Sequence, residues 1–214
     1  MMPRAYHSDW RDAKDLQENR DKAEVLAKWT RLIFWCYIIN LAVSLLDFIP
    51  MLRTVGGALD TVMMLVIVYG YFRMREADPR FVTVAVLGLG VLAIGGTERL
   101  LPEESGLGLL LGLVTIVCAI IQVRVKCTVF SELLAKISQQ MSEKWYTQWT
   151  LTLTYLCILL GSVLVLFVPV LGLLGILAII VAIGLAVFTV IREYVCLYRT
   201  AAVCASYSAG EFVD

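Results

Sequence analysis

The residues best placed to do chemistry are five polar side chains set in apolar surroundings: Asn40, Ser44, Asp47, Arg53 and Asp60. Cys36, Asn40, Ser44 and Asp47 recur at helical spacing and share one face within a sector of roughly 80°. Asp60 lies about one turn into the next apolar run, on the same side as Gly56 and Gly57. A carboxylate at membrane depth is costly unless it is paired, hydrated or protonated, so each acid needs an explanation. One explanation is a polar pocket in which Asp47 and Asp60 bind a cation or the basic group of a small solute, with Asn40 as the innermost contact. The other is an interfacial network in which Arg53 neutralises one or both acids and water softens the cost. Taken alone, the two acids fit the second explanation more economically.

Most catalytic chemistries have no material here. His7 is the only histidine and stands in a charged N-terminal stretch, so neither a Ser–His site nor a His-based metal site can be assembled in the apolar part. Gly161-Ser162 lacks the flanking pattern of a nucleophile elbow, and no phosphate-cradling glycine loop is present. The six cysteines form no CxxC pair and fall mostly within apolar runs, where cysteine acts as a small hydrophobe. We therefore expect no catalytic residue, no metal and no cofactor, and do not expect an enzyme. The formal net charge of +0 offers no basic face for nucleic acid.

The elements that must position these residues are helices in lipid. From Lys144 to Arg192 the chain runs 47 residues without a charge, broken only by Pro169. One helix of that length would be about 70 Å long, more than twice the ~30 Å hydrocarbon core, so the run reads as two spans turned back at the proline. Six runs are apolar enough to cross: 32–50, 55–72, 81–96, 106–123, 149–168 and 171–191. Pro50, Pro79, Pro102 and Pro169 all fall at their ends. The fold class expected is an all-α, polytopic integral membrane protein, with six transmembrane helices in three hairpins. Sixteen of the 18 Lys and Arg residues lie on one side of that arrangement, and only Arg53 and Arg99 on the other. The positive-inside rule then puts both termini in the cytoplasm and the protein in the cell (inner) membrane. The first helix is read as an uncleaved anchor, because the charged stretch before it is unlike a signal peptide.

Three segments follow: a charged helical tail over 1–31, the bundle over 32–191 and a C-terminal tail over 192–214. Residues 9–28 carry eleven charges in twenty positions, with Glu18–Lys22 and Glu24–Lys28 in the favourable i,i+4 order. Phe130, Leu133, Leu134, Ile137, Met141 and Trp145 form a helical stripe that predicts a cytoplasmic amphipathic helix over 127–146, packed on the surface. Lys28-Trp29 and Lys144-Trp145 each precede a span, while Phe48-Ile49-Pro50 echoes Phe167-Val168-Pro169, a faint sign that hairpins one and three are related.

Close helix packing in lipid needs small residues. Candidate faces are Ala85, Gly88 and Gly95 in span three and Gly108, Gly112, Thr115 and Ala119 in span four, continued by Gln122 and Lys126. Span five offers Thr150, Thr154, Cys157 and Gly161; span six offers Gly175, Ala178, Ala182, Ala186 and Thr189, continued by Glu193. No acid or base is expected near the middle of any span, which argues against an ordinary proton relay. The function expected is non-enzymatic: binding or transport of a small solute or cation through the polar face of the first hairpin. The alternative is a membrane-anchored scaffold that docks a protein partner on its cytoplasmic helices. Besides the lipid bilayer, the partners implied are that solute or that protein.

Overall fold

In a computed structural model the residues described are 5–46, 53–98, 106–166 and 172–210, and among them there are helices and turns but no strand. The helices are α1 (Ala5–Leu46), α2 (Arg53–Arg73), α3 (Phe81–Glu98), α4 (Gly106–Leu134), α5 (Gln139–Leu166) and α6 (Gly172–Ser208). Five of them, α1, α2, α4, α5 and α6, are long and apolar enough to cross a membrane, and α3 contributes a shorter apolar stretch, Phe81–Thr97. Each helix packs on its neighbours in sequence, and α6 returns to α1, so the six form a closed ring.

Two boundaries differ from the sequence expectation. The charged tail and the first apolar run form one helix of 42 residues, because nothing from Ala5 to Leu46 is glycine or proline. Likewise α6 continues past Ile191 to Ser208, so the residues expected as a C-terminal tail are largely helical. Helices of about 63 and 55 Å, at 1.5 Å per residue, overrun a ~30 Å core and build a helical head at the end that carries most of the basic residues.

The amphipathic helix expected over 127–146 is not one helix. The chain turns at residues 135–138, where Ile137 N–H and Ser138 N–H both donate to Leu134 O, and Ser138 opens α5 by accepting from Ser142 N–H. The reason is packing. On a straight helix Phe130 and Trp145 would sit ~22 Å apart, whereas the turn stacks their rings at 4.4 Å and 12°. The stack extends through Phe81 to Tyr71, with centroids 5.2 Å and 6.3 Å apart, and ends where Trp145 Nε1 donates to Thr200 Oγ1 at 2.9 Å. Aromatic side chains from four helices thus tie together the basic end.

The core lies at that end. Ala23, Leu26 and Ile33 of α1 are buried there with Met74, Val84, Leu134, Met141 and Leu197. The charged half of α1 is therefore docked through Ala23, Leu26, Thr30 and Ile33, with Lys14 to Glu18 exposed. Glu18 pairs with Lys22 as expected, whereas Lys28 lies over the Trp29 ring, 5.4 Å from its centroid. At the far end the helices are thinly packed, and among the described residues none in the apolar half of α4 is buried.

The small-residue faces divide accordingly. Ala85 and Gly88 of α3, and Gly175, Ala182 and Thr189 of α6, are buried, and the α4 face is half-buried. The α5 face is a correction: Thr150, Thr154, Cys157 and Gly161 are all exposed. Thr150 and Thr154 can point outward because their hydroxyls donate to the carbonyls of Tyr146 and Thr150 on their own helix. The echo between Trp29 and Trp145 does not extend to their surroundings, since Trp145 is fully buried and Trp29 only partly. The echoing tripeptides, 48–50 and 167–169, lie outside the described residues.

Candidate functional site

Two helical faces converge on one charged pair. On α4 the register Gly108, Gly112, Thr115, Ala119, Gln122 leads to Lys126; on α6 the register Gly175, Ala178, Ala182, Ala186, Thr189 leads to Glu193. Small residues along both faces leave the long side chains at their ends room to turn inward. Lys126 is 5% exposed, and its Nζ donates to Glu193 Oε1.

Phenols and amides surround this pair. Tyr37 of α1 stacks on Tyr194 of α6 with centroids 5.4 Å apart at 26°. The side chains of Tyr37, Tyr71 and Tyr155 lie within the electrostatic reach of Lys126 and Glu193. Gln148 Nε2 donates to Thr189 O at 2.8 Å, and Gln122 Nε2 donates to Val84 O at 3.0 Å. Gly88 makes the second bond possible: a Cβ there would stand 2.8 Å from Gln122 Nε2. The thiols of Cys127 and Cys196 are buried next to the pair.

Asn40 Oδ1 and Gln148 Oε1 near this layer, and Thr115 Oγ1 about three turns further along α4, are buried without a hydrogen-bond partner. Such atoms are costly in a dry interior, and water or a small polar molecule would satisfy them. The pair itself is neutral as a unit, but each charge stays inside only while the other is present. No group of three metal-binding side chains occurs among the described residues.

The residues singled out in the sequence are placed as follows. Asn40 and Ser44 share a face of α1, and Ser44 Oγ donates to Asn40 O at 3.0 Å. Asp60 is half-buried on α2, and no hydrogen bond or ion pair joins it to Asn40 or Ser44. Arg53 opens α2. Asp47 lies outside the described residues, as do Arg99, Pro50, Pro102 and Pro169.

The sequence reading set Lys126 and Glu193 at the ends of two small-residue faces but did not pair them. The signal was available: each residue continues a small-residue face by one more turn. Comparison with known proteins adds no relative, since no family model, curated protein or solved structure matches this chain.

Proposed function

We propose that this chain is a multi-pass protein of the cell membrane, with six spans in three hairpins and both termini in the cytoplasm. Its bundle binds or moves a small polar solute or cation. The five long apolar helices support membrane insertion. The gathering of sixteen of 18 basic residues at one end supports the orientation.

The observation that carries the solute reading is the buried Lys126–Glu193 pair. Ionisable residues inside a membrane bundle are expensive and typically mark a path or a site. In this reading the pair and its phenols form the cytoplasmic closure, below a thinly packed outer half. Asn40 and Thr115 offer acceptors along the way, while Asp47 and Asp60, near Arg53, attract a cation or an amine at the outer mouth. Passage requires Lys126 and Glu193 to part or to hydrate, which couples occupancy to the closure. Replacing Asp47 and Asp60 together by Asn should abolish uptake, or ligand-dependent thermal stabilisation, in a screen of cations and small metabolites. Wild-type behaviour of that double variant would remove the outer site. Retention of uptake by Lys126→Met would remove the closure.

A scaffold role is favoured by one observation, the exposed charged surface of α1 from Lys14 to Glu18. Charge reversal at Asp15 and Glu18 should then abolish co-purification of a protein partner without unfolding the bundle. An unchanged set of partners would remove that reading.

A further inference from the structure

The first and last helices, α1 and α6, close the ring, and their outer faces leave a groove of about 820 Å³. Phe34, Ile38 and Leu41 form one wall, Ala186, Val190 and Tyr194 the other, and the surface it exposes is wholly apolar. Along α6 the groove follows residues 186–198, a length of ~18 Å at helical rise, close to the depth of one leaflet of a ~30 Å core. At its Tyr198 end the groove meets a second hollow, of about 230 Å³, lined by Arg31, Trp35 and Tyr198. Phe34 belongs to both hollows and packs against Trp35 and Tyr198, each with centroids 5.4 Å away. Arg31 is exposed and makes no ion pair with any described carboxylate.

We infer that the groove and hollow together form a site for one anionic phospholipid of the cytoplasmic leaflet. An acyl chain lies between α1 and α6, and the phosphate sits on the Arg31 guanidinium. Trp35 and Tyr198 stand at the boundary between headgroup and hydrocarbon, where aromatic side chains with polar edges are most stable. The chemistry changes along the groove in the order a lipid does, from apolar walls through an aromatic ring to an unpaired cation. Its length argues against a transmembrane helix from a second copy, which would need a face running the whole bilayer. The occupied site would complete the one seam of the ring formed by helices distant in sequence. The inference rests on the membrane reading above, with the basic end cytoplasmic.

The test uses the full chain purified in mild detergent, with phosphatidylglycerol or phosphatidylcholine added at equal mole fraction. Native mass spectrometry and thermal unfolding are the readouts. Phosphatidylglycerol should be retained through purification and should raise Tm more than phosphatidylcholine does. Arg31→Gln, an exposed change that leaves the packing intact, should weaken phosphatidylglycerol binding about fivefold, the effect of one interfacial cation. Ala186→Trp should fill the groove and abolish retention of both lipids. Equal binding of the two lipids by the wild-type chain, or an undiminished preference in Arg31→Gln, would overturn the site. So would a dimer that cross-links through the groove and dissociates in Ala186→Trp. Recovery in carbonate-washed membranes reads insertion separately: an inserted protein without lipid preference overturns the site alone, and a protein released by carbonate overturns the membrane reading as well.

Discussion

Lys126 of α4 and Glu193 of α6 form an ion pair between two helices that are not packing neighbours, with α5 between them in sequence and in the ring. Long side chains from two small-residue faces meet where the tightly packed head gives way to the thin outer half. The pair holds the ring together across its interior, while its charges are tolerated only jointly.

That joint dependence gives a double-variant prediction. Lys126→Met or Glu193→Leu alone should destabilise the purified protein by roughly 3–5 kcal/mol, because each leaves an uncompensated charge inside. The combination Lys126→Met with Glu193→Leu should recover most of the loss, since replacing a buried pair by apolar groups is often neutral. Denaturant unfolding in one detergent would measure all four members of the cycle. Additive losses in the double variant would show that the two charges do not depend on one another. If the pair is also the closure, the apolar double variant should be stable but inactive in uptake.

The aromatic stack makes a separate prediction at the basic end. Trp145→Ala should cost about 3–5 kcal/mol, as expected for removing a fully buried tryptophan. Trp145→Phe keeps the ring contact with Phe130 but removes the donor to Thr200 Oγ1, and should cost about 1–2 kcal/mol. Adding Thr200→Val to Trp145→Phe should cost less than the two single changes summed, because no unpaired hydroxyl remains. A cycle without coupling would mean that the 2.9 Å contact contributes nothing to stability.

Two glycines near opposite ends of α2 should respond with opposite sign. A Cβ at Gly70 would fall 2.9 Å from Ile33 Cγ1 and 3.1 Å from its Cδ1, whereas nothing stands within 4 Å of one at Gly57. Ile33 is fully buried and its Cγ1 is near the backbone, so the crowding cannot be relieved by a swing of the side-chain tip. Gly70→Ala should therefore lower stability by about 1–3 kcal/mol, the usual cost of overpacking. Gly57→Ala should raise stability by roughly 0.5–1 kcal/mol through helix propensity alone. Thermal unfolding of the two variants side by side decides it, and a Gly70→Ala variant as stable as the wild-type chain would contradict the close approach of α1 and α2.

How far the sequence reveals this depends on what each residue must meet. The apolar runs are local properties, so the all-α class could be read directly, whereas the joining of the charged tail to the first run in one helix was not drawn from the absence of glycine and proline in 5–46. The break at residues 135–138 could not be read directly, because Phe130, Leu134, Met141 and Trp145 keep helical spacing straight through the turn. Only the requirement that Phe130 stack on Trp145 bends the chain there, and that requirement is tertiary. The same limit applies to the site. Lys126 and Glu193 could each be read as continuing a small-residue face, but pairing across 67 residues leaves no local mark. The Thr150 to Gly161 face shows the converse error, because small residues permit packing without compelling it.

The turn between α2 and α3 supplies a pH prediction. Asp78 precedes Pro79, which suits the first position of a helix, and Asp78 Oδ1 accepts from the Arg80 backbone N–H at 2.8 Å. The Arg80 guanidinium returns to Asp78 Oδ2 at 2.8 Å and also reaches Glu132 Oε2 of α4 at 2.6 Å, so one cation fastens this turn to the end of α4. Partial burial pushes the Asp78 carboxyl upward, but the side-chain and backbone bonds from Arg80 outweigh it and hold the group below its ordinary value. A carboxyl depressed in the folded state binds its proton more readily when the chain is unfolded, so its contribution is complete above the unfolded value of about 3.9. That contribution should fall away as the pH drops from about 4 through the lower folded value. Asp78→Ala should lower stability at neutral pH by about 1 kcal/mol, the ordinary worth of a helix cap. It should also flatten the fall in stability below about pH 4 relative to the wild-type chain. Unfolding midpoints at a series of pH values in one buffer system would show the two curves converging toward acid; curves that stay parallel would mean that Asp78 carries no proton-linked stability.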